Sequence, residues 1–152
     1  MVDKSRTAWS YKTGWETPRG VFDPLDREFR FTLDAAASAE NTLCTEYLTE
    51  EQDALRPDCR WAPGPVWLNP PYGRNMMPRW LEKAYQESMM GSTVVALLPA
   101  NTDVGWFHDW VLGKAELRWV RGRLQFLLDG VVQGNNPGGS VIAIYRPFGI
   151  SH

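Results

Sequence analysis

Four residues able to hold a weakly nucleophilic nitrogen follow a short apolar run. The apolar residues 66–68 are followed directly by Asn69, Pro70, Pro71 and Tyr72. The Asn69 side-chain oxygen and the Pro70 carbonyl can accept both N–H bonds of a planar amino group, which pushes its nitrogen towards the tetrahedral shape that attacks a methyl donor. The two prolines stiffen the loop and remove two donors, and Tyr72 offers a flat face to a target ring. The alternative is a rigid turn after a buried strand, with Tyr72 half-buried.

The composition indicates one globular domain. The chain has 152 residues, of which 43% are hydrophobic and 22% charged, and we expect a flexible N-terminal arm over residues 1–14 before a single domain over 15–152. It contains neither a run of the roughly 20 apolar residues that a membrane span needs nor a secretory signal, so we expect a cytoplasmic protein with no membrane partner. Cys44 and Cys59 indicate reduced thiols, and no ligand spacing for a metal is present.

Alternating strand and helix patterns predict an α/β fold with a mostly parallel sheet and helices on both faces. Strands are expected at residues 29–34, 43–48, 66–68, 93–98, 116–120 and 141–145. Helices are expected at 76–90 and 106–112, and a helical segment beginning near Thr17 is expected to be interrupted at Pro24. In the helix over 76–90, the charged residues Lys83 and Glu87 are expected to face away from the core.

Two predicted strand ends carry residues suited to a ligand. Open α/β sheets bind ligands beyond the carboxyl ends of their strands, where the strand order reverses. Asp34 could accept a hydrogen bond from an ammonium group, and the small side chains of Ala35 and Ala36 would allow a ligand close to the backbone. Asp34 could equally be an ordinary helix cap or turn residue. No glycine-rich phosphate loop is present, which argues against dinucleotide and nucleoside triphosphate cofactors.

Several motifs occur together in a fixed order. They are WETP at residues 15–18, FTLDAAA at 31–37, VWLNPPYG at 66–73, LLPANTD at 97–103 and GRLQF at 122–126. In this combination the chain resembles the small DNA N6-adenine methyltransferases (the Dam family) of bacteriophages and prophages. The resemblance implies a reduced Rossmann-like methyltransferase fold, transfer of a methyl group from S-adenosylmethionine to N6 of adenine, and double-stranded DNA as the partner.

The resemblance also implies roles for individual residues. The catalytic loop would be Asn69 to Tyr72, with the target adenine flipped out of the duplex and stacked on Tyr72. Glu46 would hold the ribose hydroxyls of S-adenosylmethionine, and Asp53 would lie near its adenine. The methionine end would be lined by Trp15, Thr17, Pro18, Asp34, Ala35 and Ala36. The segment after Asp34 departs from the glycine-rich loop of larger methyltransferases.

Alternative functions remain open at this point. The Asn form of the four-residue motif also occurs in methyltransferases that act on RNA bases or on protein glutamine. A cytosine-C5 methyltransferase is excluded because neither cysteine follows a proline. A non-catalytic protein that binds DNA or the cofactor is a further alternative, which the intact motif argues against.

DNA binding must come from a local basic cluster, because the formal net charge is −2. Residues 114–123 contain four basic side chains and one acidic one, a net charge of +3. Arg118, Arg121, Arg123 and Phe126 are the predicted DNA-binding residues, with Gly122 turning the arginines outwards. The alternative is a solvated strand edge. Residues 127–139 are a candidate recognition loop, and a homodimer would allow a domain of this size to cover more DNA.

Overall fold

A six-stranded sheet forms the centre of the molecule in the computed structural model, which describes residues 16–71, 75–128, 131–132 and 138–147. The helices are α1 (Arg19–Phe29), α2 (Met77–Met89) and α3 (Gly105–Trp110). The strands of the sheet are β1 (Leu33–Asp34), β2 (Glu46–Tyr47), β3 (Val66–Leu68), β4 (Val94–Pro99), β5 (Glu116–Trp119) and β8 (Ser140–Tyr145). A separate hairpin pairs β6 (Leu127–Leu128) with β7 (Val131–Val132).

The strand order is β2-β1-β3-β4-β8-β5. Neighbouring strands from β2 to β4 are parallel, and β8 runs antiparallel to both β4 and β5. After β1 the chain adds β2 on one side and β3 on the other, so the strand order reverses at β1. The mixed α/β class and the mostly parallel sheet predicted from the sequence are confirmed.

Helices cover both faces of this sheet because successive residues of a strand point to opposite sides. On β4, Val94, Ala96 and Leu98 belong to the core that also contains the buried residues of α2 and α3. Val95 and Leu97 point the other way, into a second core with Phe22 and Leu25 of α1. The near-continuous apolar run of β4 therefore reflects burial on both faces, as expected for a central strand.

Two boundaries differ from the sequence prediction. The helix at residues 19–29 continues through Pro24. A proline at this position deprives only the Gly20 carbonyl of its helical donor, and Gly20 is exposed, so water can replace the missing bond. The strand expected over 29–34 is limited to Leu33 and Asp34, because Phe29 still belongs to α1.

The prediction that Lys83 and Glu87 face solvent is wrong. Both residues are buried on α2. The Lys83 ammonium lies 3.3 Å from the Glu87 oxygen Oε1, and Nε of Arg60 lies 3.3 Å from the same oxygen. The same ammonium donates to the carbonyls of Arg56 and Cys59, at 3.1 and 2.6 Å. This ion-pair cluster (Arg60, Lys83 and Glu87), in which Arg60 is exposed and the other two residues are buried, ties α2 to the turns before β3. Among the described residues, no helix has the length and apolar character required to cross a bilayer.

Candidate active site

The ends of β1 and β3 meet at one edge of the sheet. Asp34 is in register with Trp67, and the Ala35 N–H donates to the Trp67 carbonyl at 3.0 Å. Asn69 follows β3 directly, so the two strand ends singled out in the sequence are neighbours. They lie where the strand order reverses, which is where open α/β sheets bind ligands.

A cavity of about 700 Å³ opens beside these strand ends. Its walls come from the segment after β1, the turns after β2, the prolines after β3 and the first turn of α2. The lining residues are Ala35 to Glu40, Leu48 to Glu51, Asp53 to Leu55, Pro71, Met76, Arg79 and Trp80. This volume is in the range of small-molecule sites. The cavity therefore has the size and position of a site for a small-molecule ligand.

Asp34 lies beneath the cavity wall and is not one of its lining residues. Its carboxylate is 3% exposed and accepts hydrogen bonds from the Leu43 and Ala36 N–H groups, at 3.2 and 3.4 Å. Burial raises the pKa of Asp34 to about 7, and these two backbone donors only partly oppose that rise. The Asp34 side chain thus holds the segment after β1 in shape, and its burial near the cavity disfavours the charged form of the carboxyl group.

The Asn69 side chain is held by a residue 52 positions earlier in the chain. Its Nδ2 donates to the Thr17 hydroxyl oxygen at 3.2 Å, and Thr17 is 4% exposed. This bond uses the amino edge of the Asn69 amide and leaves the carbonyl edge for another donor. Thr17, predicted as a cofactor residue, therefore contacts the catalytic loop, and it does not line the large cavity.

The prolines of the catalytic loop are buried, and Pro71 lines the cavity. Within the described part of the chain, no donor is bonded to the Pro70 carbonyl, as the proposed grip on an amine requires. Tyr72 and Trp15 lie outside the described residues, as does the N-terminal arm, and their predicted roles stay predictions.

The structure separates the other predicted cofactor residues. Ala35, Ala36 and Asp53 line the large cavity, and Pro18 precedes α1. Glu46 instead lines a second cavity of about 420 Å³, formed with residues that precede β3. This placement does not favour Glu46 as the residue that holds the ribose, because Glu46 begins β2 whereas the large cavity lies where the parallel strands end.

Several cavity residues were missed in the sequence. Glu50 and Glu51 follow β2 on the cavity side, and the strand-end rule would have favoured them had the limits of β2 been known. Trp80 belongs to the buried face of α2. Its indole Nε1 is buried and has no hydrogen-bond partner among the described residues. A buried donor beside a cavity could be satisfied by an acceptor on a ligand.

Comparison with known proteins decides the family. The family described as DNA N-6-adenine-methyltransferase (Dam) matches residues 4–151. The chain belongs to this family. Two relatives named DNA N-6-adenine-methyltransferase come from Escherichia phage T1 and Haemophilus phage HP1 (strain HP1c1). The T1 protein is 33% identical over 153 residues, which is 87% of this chain and 62% of the relative. The HP1 protein is 34% identical over 130 residues, which is 84% of this chain and 73% of the relative.

The Dam family membership predicted from the sequence is thus confirmed. No group of three or more His, Cys, Asp or Glu side chains suited to a metal ion occurs within the residues that the structure describes.

In this Dam-family chain the predicted DNA-binding arginines lie in two different environments. Arg118 forms a two-pronged contact with the Glu28 carboxylate, at 2.6 and 2.8 Å, which lowers the pKa of Glu28. Arg121 and Arg123 are exposed after the end of β5, and Gly122 between them has a φ of 76°. The bend predicted at Gly122 is therefore present. Phe126 is 2% exposed and packs in the second core, together with the buried residues of α1. Its ring is therefore not presented to DNA in this conformation.

The segment carrying the exposed arginines returns to the site. Leu127 and Glu16 form an antiparallel bridge, with their backbone hydrogen bonds at 2.6 and 3.1 Å. Glu16 immediately precedes Thr17, which bonds Asn69. The basic segment (residues 120–126) is thus followed directly by Leu127, whose bridge to Glu16 brings this part of the chain next to Thr17.

Proposed function

We propose that this chain transfers a methyl group from S-adenosylmethionine to N6 of adenine in double-stranded DNA. The proposal rests chiefly on the Asn69 amide of a Dam-family chain, which Thr17 holds by its amino edge directly after β3. Pro71, two residues further along the same loop, lines the large cavity. The strand order and the helices on both faces support a reduced Rossmann-like methyltransferase fold. We place the activity in the cytoplasm of a bacterial host, where the substrate DNA lies.

The large cavity fits the proposed donor. Ala35 and Ala36 add only methyl groups to its wall, so a ligand can approach the backbone closely. Glu50 and Glu51 replace Glu46 in the proposed role of holding the ribose hydroxyls, and Asp53 remains near the adenine. Acidic walls suit a ligand that carries both a sulfonium and an ammonium charge. The free indole N–H of Trp80 would donate to an acceptor on the same ligand.

The catalytic loop prepares the target nitrogen. The Asn69 carbonyl oxygen and the Pro70 carbonyl accept the two N6–H bonds, which localises the lone pair on nitrogen. S-adenosylmethionine, when bound, would supply the methyl group. The N6–carbon bond would form as the sulfur–carbon bond breaks, with that bond's electron pair left on sulfur. The positive charge would pass from sulfur to N6, which would then release one proton to water. Pro70 and Pro71 keep these acceptors fixed, because alignment of the reacting atoms contributes most of the rate.

The substrate base must leave the duplex to reach this edge of the sheet. Tyr72 would stack on the flipped adenine, and Arg121 and Arg123 would contact phosphates without reading sequence. Arg118, engaged by Glu28, would contribute less to DNA binding than the two exposed arginines.

Methyl transfer from labelled S-adenosylmethionine to duplex DNA, RNA and protein, followed by nucleoside and amino-acid analysis, tests the proposal. We expect label in N6-methyladenine of DNA, lost in Asn69→Ala while donor affinity measured by calorimetry stays within about threefold, because Asn69 acts on the amine. Label found only in RNA or in glutamine would establish one of the alternative substrates. Donor binding without any transfer would indicate a non-catalytic protein.

A further inference from the structure

We infer that Thr17 is a positioning residue that keeps the acceptor edge of the Asn69 amide turned towards the target amine. The inference deepens the proposed function and rests on it. It follows from a side-chain contact between two distant parts of the chain, and it assigns to Thr17 a role other than lining the donor cavity.

The contact is direct, and its Thr17 side is shielded from solvent, whereas Asn69 is half-buried. Asn69 Nδ2 lies 3.2 Å from the Thr17 hydroxyl oxygen, and Thr17 is 4% exposed. Water therefore competes poorly for this hydroxyl. A hydrogen bond at such a site restrains the plane of the amide more than one at the surface would.

The orientation of the amide matters because its two edges are chemically opposite. The carbonyl edge accepts an N–H bond from adenine N6, whereas the amino edge would present a donor to another donor. A target with two N–H bonds needs two acceptors. With its amino edge on Thr17, Asn69 supplies one acceptor and Pro70 the second.

Thr17 is itself fixed to the strand that carries Asn69. Glu16 is bridged to Leu127 on one side of it, and on the other side the Pro18 carbonyl accepts the Val21 and Phe22 N–H groups at 3.0 and 3.2 Å. The Phe22 ring packs edge-on against Trp67, with centroids 5.3 Å apart. Trp67 lies two residues before Asn69. The hydroxyl and the amide are thus held by one continuous set of packed residues.

A direct role in donor binding is not favoured, because Thr17 is absent from the residues that line the large cavity. The two roles predict different kinetics. A donor-binding residue changes the dissociation constant of the donor, whereas a positioning residue changes kcat at saturating donor and DNA.

Substitution of Thr17 by Val and by Ser tests the inference. Thr17→Val keeps the side-chain shape and removes the hydroxyl, and we expect kcat to fall about fivefold, the effect of one hydrogen bond of about 1 kcal/mol. Thr17→Ser restores the hydroxyl and should restore most of kcat. The donor dissociation constant should stay unchanged in both. Thr32→Val, which removes a hydroxyl bonded to the Pro65 carbonyl at an exposed position, is the matched control.

A spectroscopic measurement keeps the inference testable without activity. In nuclear magnetic resonance spectra of the protein, the Asn69 side-chain NH₂ protons should exchange slowly with water in the wild type and in Thr17→Ser, and faster in Thr17→Val. Equal exchange in all three proteins would overturn the inference, as would a weaker donor affinity in Thr17→Val with unchanged kcat. A wild type that shows the slow exchange but methylates no DNA would refute the proposed function instead and leave the contact itself established.

Discussion

Replacing Asp34 with Asn should change how the stability of the protein depends on pH. Burial raises the pKa of Asp34 from 3.8 to about 7 in the folded chain, so between these values the folded state holds a proton that the unfolded state releases. The contribution of Asp34 to stability is therefore greatest at low pH, falls as pH rises through this window, and is constant above it. A shift of about three units corresponds to about 4 kcal/mol in full.

Chemical denaturation of the wild type and of Asp34→Asn at a series of pH values measures this contribution. Between about pH 5 and about pH 8, the unfolding free energy of the wild type should fall relative to that of the variant by about 2.5 kcal/mol. A lost or altered hydrogen bond to Leu43 adds a constant offset, because it does not titrate, and so it leaves the slope of the difference unchanged.

Asp58→Asn is the matched control, because the Asp58 side chain is 80% exposed and loses little water on folding. Its curve should run parallel to that of the wild type. If the Asp34→Asn curve also runs parallel to the wild type, the carboxylate of Asp34 is hydrated in solution, and the account of a buried charge beneath the cavity is refuted.

Three further predictions concern other parts of the molecule. Glu87→Ala leaves a buried ammonium without its counter-charge and should lower the unfolding free energy by about 3–5 kcal/mol in denaturant titrations. Replacing both Arg121 and Arg123 with Ala should weaken DNA binding for all sequences and reduce the salt dependence of DNA affinity by about one unit of slope per lost phosphate contact. Arg118→Ala, the control, should reduce this slope less. Equal slopes for the double variant and for Arg118→Ala would contradict the prediction. Tyr72→Ala should cost about 1–3 kcal/mol of stacking with the target base, measured as lost kcat/KM, and normal turnover would exclude stacking.

The sequence predicted best those elements whose pattern is decided locally. The helix α2 and the strand β4 were placed within a residue or two, because each repeats its apolar positions with the period of its own backbone. The burial of β4 on both faces also agrees with its sequence, since a continuous apolar run such as Val94 to Leu98 needs cover on both faces of the sheet. The sequence singled out the ends of β1 and β3 as ligand-binding candidates, and the strand order shows that the two strands are neighbours.

Features that depend on contacts between distant parts of the chain could not be predicted from the sequence. Lys83 and Glu87 look like solvent-facing residues, and only the carbonyls of a separate segment and the pairing of the two charges make their burial tolerable. The side chain that holds Asn69 lies 52 residues away, and no local spacing indicates it. Glu46 was predicted to hold the ribose hydroxyls. Its position at the start of β2 could not be predicted, because the limits of a two-residue strand are not encoded by periodicity.

The contacts of Lys83 bear on the stability of the segment that lines the large cavity. Residues 53–60 form turns only, and they are held by the Lys83 ammonium on two of their carbonyls and by the Trp61 indole on the Ala54 carbonyl at 3.1 Å. Such a segment has little stability of its own, so its amides exchange hydrogen through the same opening as α2. Since α2 follows the predicted catalytic loop along the chain, we expect this wall of the large cavity and the loop to form one cooperative unit and to lose their structure together.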